Sequence, residues 1–175
     1  MNSFRVLVVD DDPDMAAFLA RIITAEGMVA DAVYDALDPF CASIRSSLPQ
    51  VVAAGPVQHL STDVTGRLAR ATHVLELVAA LHPTPAVAGL PREDALSFLG
   101  EREGFDRGWY AGPIGVVHPD GSGSFAVALR CALLHDEVLD LFAGAGIVEG
   151  SIAHEELREV EMKLRVVASA LTPED

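Results

Sequence analysis

Hydrophobic and polar positions along the chain switch between two periods, and the switches mark its elements. The run "RVLVV", Arg5 to Val9, is apolar after its arginine and ends on Asp10, Asp11, Asp12 and Pro13, the pattern of a buried strand entering a turn. "DDDPDMAAFLARIITAEG" then carries apolar residues at helical spacing, a proline near its start and Gly27 at its close, which predicts a capped helix. Helical intervals continue through Val33, Leu37 and Phe40 in "VADAVYDALDPFCASI", predicting a second helix that runs toward a break at Pro49. "VVAAGPVQHLSTDVTGRL" predicts extended chain with a glycine–proline interruption, and "RATHVLELVAALHP" a helix stopped by proline, with a proline-rich loop after it.

Further along, "PREDALSFLGEREG" predicts a short helix with Pro91 at its start, and "GWYAGPIGVVHPDGSGSFAVALRCALLHDEVLDLFAGAGIV" a hairpin meander whose turn is "HPDGSG". "AHEELREVEMKLRVVASAL" is the last helix. No internal repeat, low-complexity tract or long linker separates these parts, so the expected class is α+β. With 175 residues, half of them hydrophobic, the chain is long enough to enclose a core.

A net charge of −14 argues against nucleic acid and against anionic membrane as partners, because both affinities rest on clustered Lys and Arg. An anionic ligand would need local help from a few placed cations, backbone N–H groups or a bound metal. The apolar runs fall short of a bilayer span and the N-terminus lacks a secretory pattern, which sets the expectation of a cytoplasmic protein. Cys41 and Cys131 have no metal-ligand spacing and are expected to be small core residues.

Five features could carry chemistry, and each has an ordinary alternative. The carboxylates Asp10, Asp11 and Asp12 suit Mg²⁺ at a strand end, or equally the positive N-terminus of the helix after them. Glu156, Glu159 and Lys163 share one helix face; they form either a surface ion pair worth about 0.2–0.5 kcal/mol or a carboxylate metal site beside an ammonium. Gly144, Ala145 and Gly146 in "LFAGAGIV" make a tight turn or a row of N–H groups for an anion. Arg130 ends the alternating "SFAVALR", as an exposed strand end or as a fork aimed at a carboxylate. His82 in "LHPTPAV" caps a helix or transfers protons.

"FRVLVVDDDPDMAAFLARIITAEGM" resembles the first strand and helix of a response-regulator receiver domain, with Asp10 and Asp11 as the acidic pair. A receiver also needs a phosphoacceptor aspartate and a lysine. Ala53 and Ala54 stand in the nearest candidate strand, and the only lysine in the chain is Lys163 on the last helix, so the switch lacks its working parts. From about Val57 to Leu171 the stretches "QHLSTDVTGRL", "LVAALHPTPAVAGLP", "EREGFDRGWYAGPIGVV", "GSGSFAVALRCALL", "LFAGAGIVEGS" and "HEELREVEMKL" resemble, in order, the C-terminal half of isochorismate synthase. That enzyme belongs to the chorismate-utilising family that includes anthranilate and salicylate synthases. "DAVYDALDPFCAS" extends the likeness upstream, giving a receiver-like fragment over 1–32 and a chorismate-binding half over 33–175.

The likeness implies a partial chorismate-utilising fold, an antiparallel sheet with packed helices. It also implies roles: Arg130 and Tyr110 on one carboxylate of chorismate, the backbone of Gly144, Ala145 and Gly146 on the other, Glu159 with Glu156 on Mg²⁺, Lys163 beside that site and His82 lining the ring pocket. The family's other half supplies the lysine that activates water and the glutamate that protonates the leaving hydroxyl. The reading is therefore a truncated fusion with an incomplete site, expected to self-associate or to need a complementing N-terminal half. A non-catalytic chorismate-, Mg²⁺- or partner-binding module is the alternative, and a phosphorelay receiver the third.

Overall fold

The computed structural model describes residues 3–10, 31–54 and 57–171. Two compact units divide the chain, Met1–Pro85 with Val117–Ser124 and Ala86–Val116 with Phe125–Asp175.

The first unit is organised by one long strand, β4 (Val57–Leu68). Strand β1 (Ser3–Asp10) lies antiparallel along it, from Ser3 opposite Arg67 to Asp10 opposite Leu60. The other edge of β4 is shared in tandem by β2 (Cys41–Ser46) and β3 (Gln50–Ala54), whose registers run from Cys41 opposite Leu68 to Ser46 opposite Val64 and from Gln50 opposite Ser61 to Ala54 opposite Val57. Proline cannot donate to a ladder, so the pairing breaks at the junction holding Pro49. Ser47 spans the gap: its N–H donates to the Asp63 carbonyl at 2.8 Å and its hydroxyl accepts from the Asp63 N–H at 3.0 Å. With partners on both edges, Ser61, Thr62 and Val64 of β4 are all buried.

The expected helix through "VADAVYDALDPFCASI" is shorter than its periodicity suggests. Residues 31–37 are helical (α1), a 3-10 turn covers Asp38–Phe40, and "CASIRS" is strand β2. Pro39 interrupts the helix, and Ile44 keeps its apolar position by packing on the core from a strand instead. That core joins Val33 and Leu37 of α1 to Val64 and to Leu77 of α2 (Val74–Leu81), with Phe40, Cys41, Ile44, Leu68 and Leu81 around them. Helix α2 begins on His73, whose Nδ1 accepts the Leu75 N–H at 3.2 Å while the Glu76 carboxylate accepts the His73 N–H at 3.1 Å.

In the second unit, α4 (Arg92–Arg102) follows Pro91 as predicted, whereas a four-residue helix α3 (Pro85–Ala88) occupies part of the expected proline-rich loop. The expected meander is two separate hairpins, β5 (Pro113–Val117) with β6 (Gly123–Val127) and β7 (Cys131–His135) with β8 (Val138–Phe142). "HPDGSG", which lies in the stretch Val117–Ser124 assigned to the first unit, does turn the first hairpin: Gly121 has φ +81°, and the Asp120 carboxylate accepts from the Ser122 N–H at 3.0 Å and hydroxyl at 2.7 Å. The hairpins part where Ala128 bonds back to Ala111 and Gly112, at 2.8 Å each, and Arg130 takes φ +48°. Helix α5 (Ala153–Leu171) closes the chain's described part, as expected. Neither cysteine is the core residue expected: Cys41 and Cys131 are free thiols of intermediate exposure, Cys41 at the rim of the first unit's core. The receiver-like helix, with Asp11 and Asp12, lies outside the described residues.

Leu37 is fully buried and Leu48 is 84% exposed, so the two leucines should respond oppositely to truncation. Leu37→Ala is expected to cost about 2–5 kcal/mol in denaturant unfolding, and Leu48→Ala to stay within about 0.5 kcal/mol.

Candidate functional site

Helix α5 turns a mixed face toward the protein: Glu156, Glu159, Val160, Lys163, Leu164 and Val167 are partly buried, at intervals of three and four. The Lys163 side chain is 12% exposed and that of Glu159 21%, so this is not the solvated surface pair that spacing alone allows. The ammonium lies 2.5 Å from Glu159 Oε1 and donates to the Gly144 carbonyl at 3.1 Å, which ties the helix to the loop after β8.

Gly144 is glycine for a reason of approach rather than of bending. Its φ is not in the left-handed region, but a Cβ built there would lie 2.6 Å from the Tyr110 hydroxyl. Gly146 has open space around its Cα. Among the described residues, the N–H groups of Gly144, Ala145 and Gly146 donate to no protein acceptor. Three successive N–H groups beside a lysine suit an anion.

Tyr110 is fixed from several sides. Its N–H closes a turn onto the Arg107 carbonyl at 2.8 Å, and its ring stacks on Phe142 at 5.5 Å and 20°, with Phe105 6.0 Å from Phe142. Burial pushes its phenol above the ordinary range, a shift that the nearby charges of Arg107 and Lys163 oppose. Arg130 was expected at a strand end. Strand β6 stops at Val127, and Arg130 sits instead on the left-handed turn before Cys131, which pairs with Phe142. The structure thus gathers Tyr110, Gly144, Glu159 and Lys163 directly and roots Arg130 next to the strand that carries Phe142.

Glu156 is partly buried on the same face of α5 as Glu159. Among the described residues no group of three or more His, Cys, Asp or Glu side chains is arranged to hold a metal. Two carboxylates remain a sufficient protein contribution for Mg²⁺, which keeps waters and takes ligand oxygens to complete its octahedron. His82 belongs to the other unit, where its N–H caps α2 on the Val78 carbonyl at 2.8 Å.

Sequence reasoning passed over Arg107 and Glu103. Arg107 forks onto Glu103 through Nε at 2.6 Å and Nη2 at 2.5 Å, and its Nη1 donates to the Val87 carbonyl at 2.8 Å. The available signal was the spacing of Glu103 and Arg107, four apart within "EREGFDRGWY".

Residues 24–172 match the family model described as chorismate binding enzyme. The chain belongs to the chorismate-binding enzyme family. It is 44% identical over 146 residues to the salicylate biosynthesis isochorismate synthase of Pseudomonas aeruginosa, a match covering 83% of this chain and 31% of that protein. It is 38% identical to isochorismate synthase DhbC of Bacillus subtilis, across 93% of this chain and 42% of the relative. The solved structure of MenF, the menaquinone-specific isochorismate synthase from Escherichia coli, superposes with a TM-score of 0.83 at 30% identity, covering 97% of this chain and 42% of that one. The chain spans between about a third and somewhat under half of the length of these relatives.

The contact at Gly144 gives a rescue experiment. Gly144→Ala is expected to cost about 1–3 kcal/mol by overpacking against the Tyr110 hydroxyl. Adding Tyr110→Phe should restore most of the loss, since the next ring atom is 3.9 Å from the new methyl. Thermal unfolding of the single and double variants checks it.

Proposed function

We propose that this chain is an isochorismate synthase-like chorismate-binding segment that uses Mg²⁺ and does not by itself turn chorismate over. What carries the reading is the joining of Tyr110, Gly144, Glu159 and Lys163, residues from a loop, a glycine turn and a helix, into one half-buried cluster. Chorismate is a dianion, and an acidic chain needs clustered donors to accept it. The Tyr110 hydroxyl and the Arg130 guanidinium hold one carboxylate, Arg130 by a two-nitrogen fork. The N–H groups of Gly144, Ala145 and Gly146 face the other, with the Lys163 charge beside them. Glu159 and Glu156 are the residues that would hold Mg²⁺, which would supply positive charge to offset that of the ligand.

Isomerisation to isochorismate requires water to add at C2 as the C4 hydroxyl leaves, so a base must take a proton from water and an acid must deliver one to the departing oxygen. Lys163 is the chain's only lysine and its ammonium is bonded to Glu159 and to the Gly144 carbonyl, which leaves it unsuited to act as the base. General base and acid groups each contribute about 10²–10⁴-fold, and without them binding proceeds but turnover does not.

Calorimetry with chorismate and Mg²⁺ tests the binding. Measurable affinity is expected, weakened about tenfold or more by Arg130→Ala and by Glu159→Gln, the scale of a lost bond to a charged group. No binding in the unaltered chain would overturn the proposal. Isochorismate detected by chromatography, and lost in Glu159→Gln, would overturn the claim of missing turnover.

Open apolar surface in the second unit supports a protein partner. Every residue of β5 is exposed, Ile114 and Val116 among them, and Leu133, Leu134 and Leu139 stand out from the second hairpin. Two-stranded sheets with such faces call for cover, from another copy of the chain or from a polypeptide that complements it. Light scattering of the isolated chain is expected to give an oligomer; a stable monomer with a sharp thermal transition would contradict this.

A further inference from the structure

We infer that Arg107 is a positioning residue that fixes the ring of Tyr110, and through it the hydroxyl that the proposed chorismate site depends on. The guanidinium is itself immobilised. All three of its nitrogens are committed, two to the Glu103 carboxylate and one to the Val87 carbonyl, and the Arg107 and Glu103 side chains are about three-quarters buried. A planar cation held this way has no freedom to swing toward water. Its central carbon lies 5.7 Å from the centre of the Tyr110 ring, within cation–π range. The backbone makes the same connection, since the Arg107 carbonyl accepts the Tyr110 N–H.

The precision matters because the Tyr110 hydroxyl lies against the Cα of Gly144, whose carbonyl is bonded to Lys163. A small swing of the whole side chain about χ1 moves the hydroxyl into that glycine or away from it. Glu103 ends α4 by donating its N–H to the Leu99 carbonyl at 2.9 Å, so the chain of restraint runs from the helix end through Glu103 and Arg107 to Tyr110.

The test reads Tyr110 directly. The chain has two tyrosines, so Tyr34→Phe leaves Tyr110 as the only phenol to follow by ultraviolet absorbance. The charged and titratable groups acting on it are Arg107, Glu103, Lys163 and Cys131. In this background Arg107→Ala removes a cation that favours the phenolate, and the titration is expected to move to higher pH. Arg107→Lys keeps a charge but loses the two-nitrogen fork, and is expected to recover only part of the shift. Chorismate affinity should fall roughly 3- to 30-fold in Arg107→Ala, and Arg107→Ala combined with Tyr110→Phe should be no weaker than the worse single variant. An unmoved phenol titration, or losses that simply add, would overturn the inference, including the case in which Arg107→Ala is too unstable and Arg107→Lys alone is measured. The binding arm rests on the proposed chorismate site. Failure of the unaltered chain to bind chorismate would count against that site, and the phenol titration would still decide the role of Arg107.

Discussion

A largely buried ammonium must be neutralised where it lies, and that requirement holds the second unit's cluster together. Lys163 has 12% of its side chain exposed, and removing a charge from water is costly unless a partner and donors to acceptors compensate. Glu159 one turn earlier supplies the opposite charge, and the Gly144 carbonyl supplies a second acceptor from outside the helix. The second bond fixes where the loop after β8 can go. Once the loop is there, only a residue without a side chain leaves room for the Tyr110 hydroxyl, and Tyr110 in turn rests on Phe142 at the end of β8. Each restraint narrows the position of the next.

The same arrangement resolves a conflict of charge. The chain carries −14 overall and Lys163 is matched by Glu159 beside it, yet the N–H groups of Gly144, Ala145 and Gly146 offer a run of fixed donor dipoles in the second unit. Fixed dipoles and cations in a partly desolvated setting act more strongly than the distant negative charge, which salt screens beyond about 10 Å. A globally acidic protein can therefore carry a locally anion-seeking site.

Much of this was legible in one dimension because it depends on local period. The bounds of α5 matched "AHEELREVEMKLRVVASAL", and the Glu159 and Lys163 spacing pointed to their pairing. What failed depended on contacts from afar. "CASIRS" continues a helical rhythm, and only its pairing with β4 makes it a strand. The alternation of "SFAVALR" runs on past Val127, but Ala128 is drawn to Ala111 and Gly112, and the strand ends before Arg130. Gly144 looked like a bend, because nothing in the sequence places a tyrosine hydroxyl against its Cα. Glu103 and Arg107 showed their mutual spacing but not the Val87 carbonyl or the Tyr110 ring that complete their surroundings.

The two edges of β4 are filled by segments at very different distances along the chain. On one edge Ala54 faces Val57 and Gln50 faces Ser61, pairings that close small loops; on the other, Ser3 faces Arg67. Loop-closure entropy rises with the length of chain enclosed, so the short-range ladder is the less costly to form from the unfolded state. The β3–β4 hairpin thus closes at a lower entropic cost than the pairing of β1 with β4. Without β1, one side of β4, the longest of the described strands, would present unpaired N–H and C=O groups to any other chain able to add a strand there.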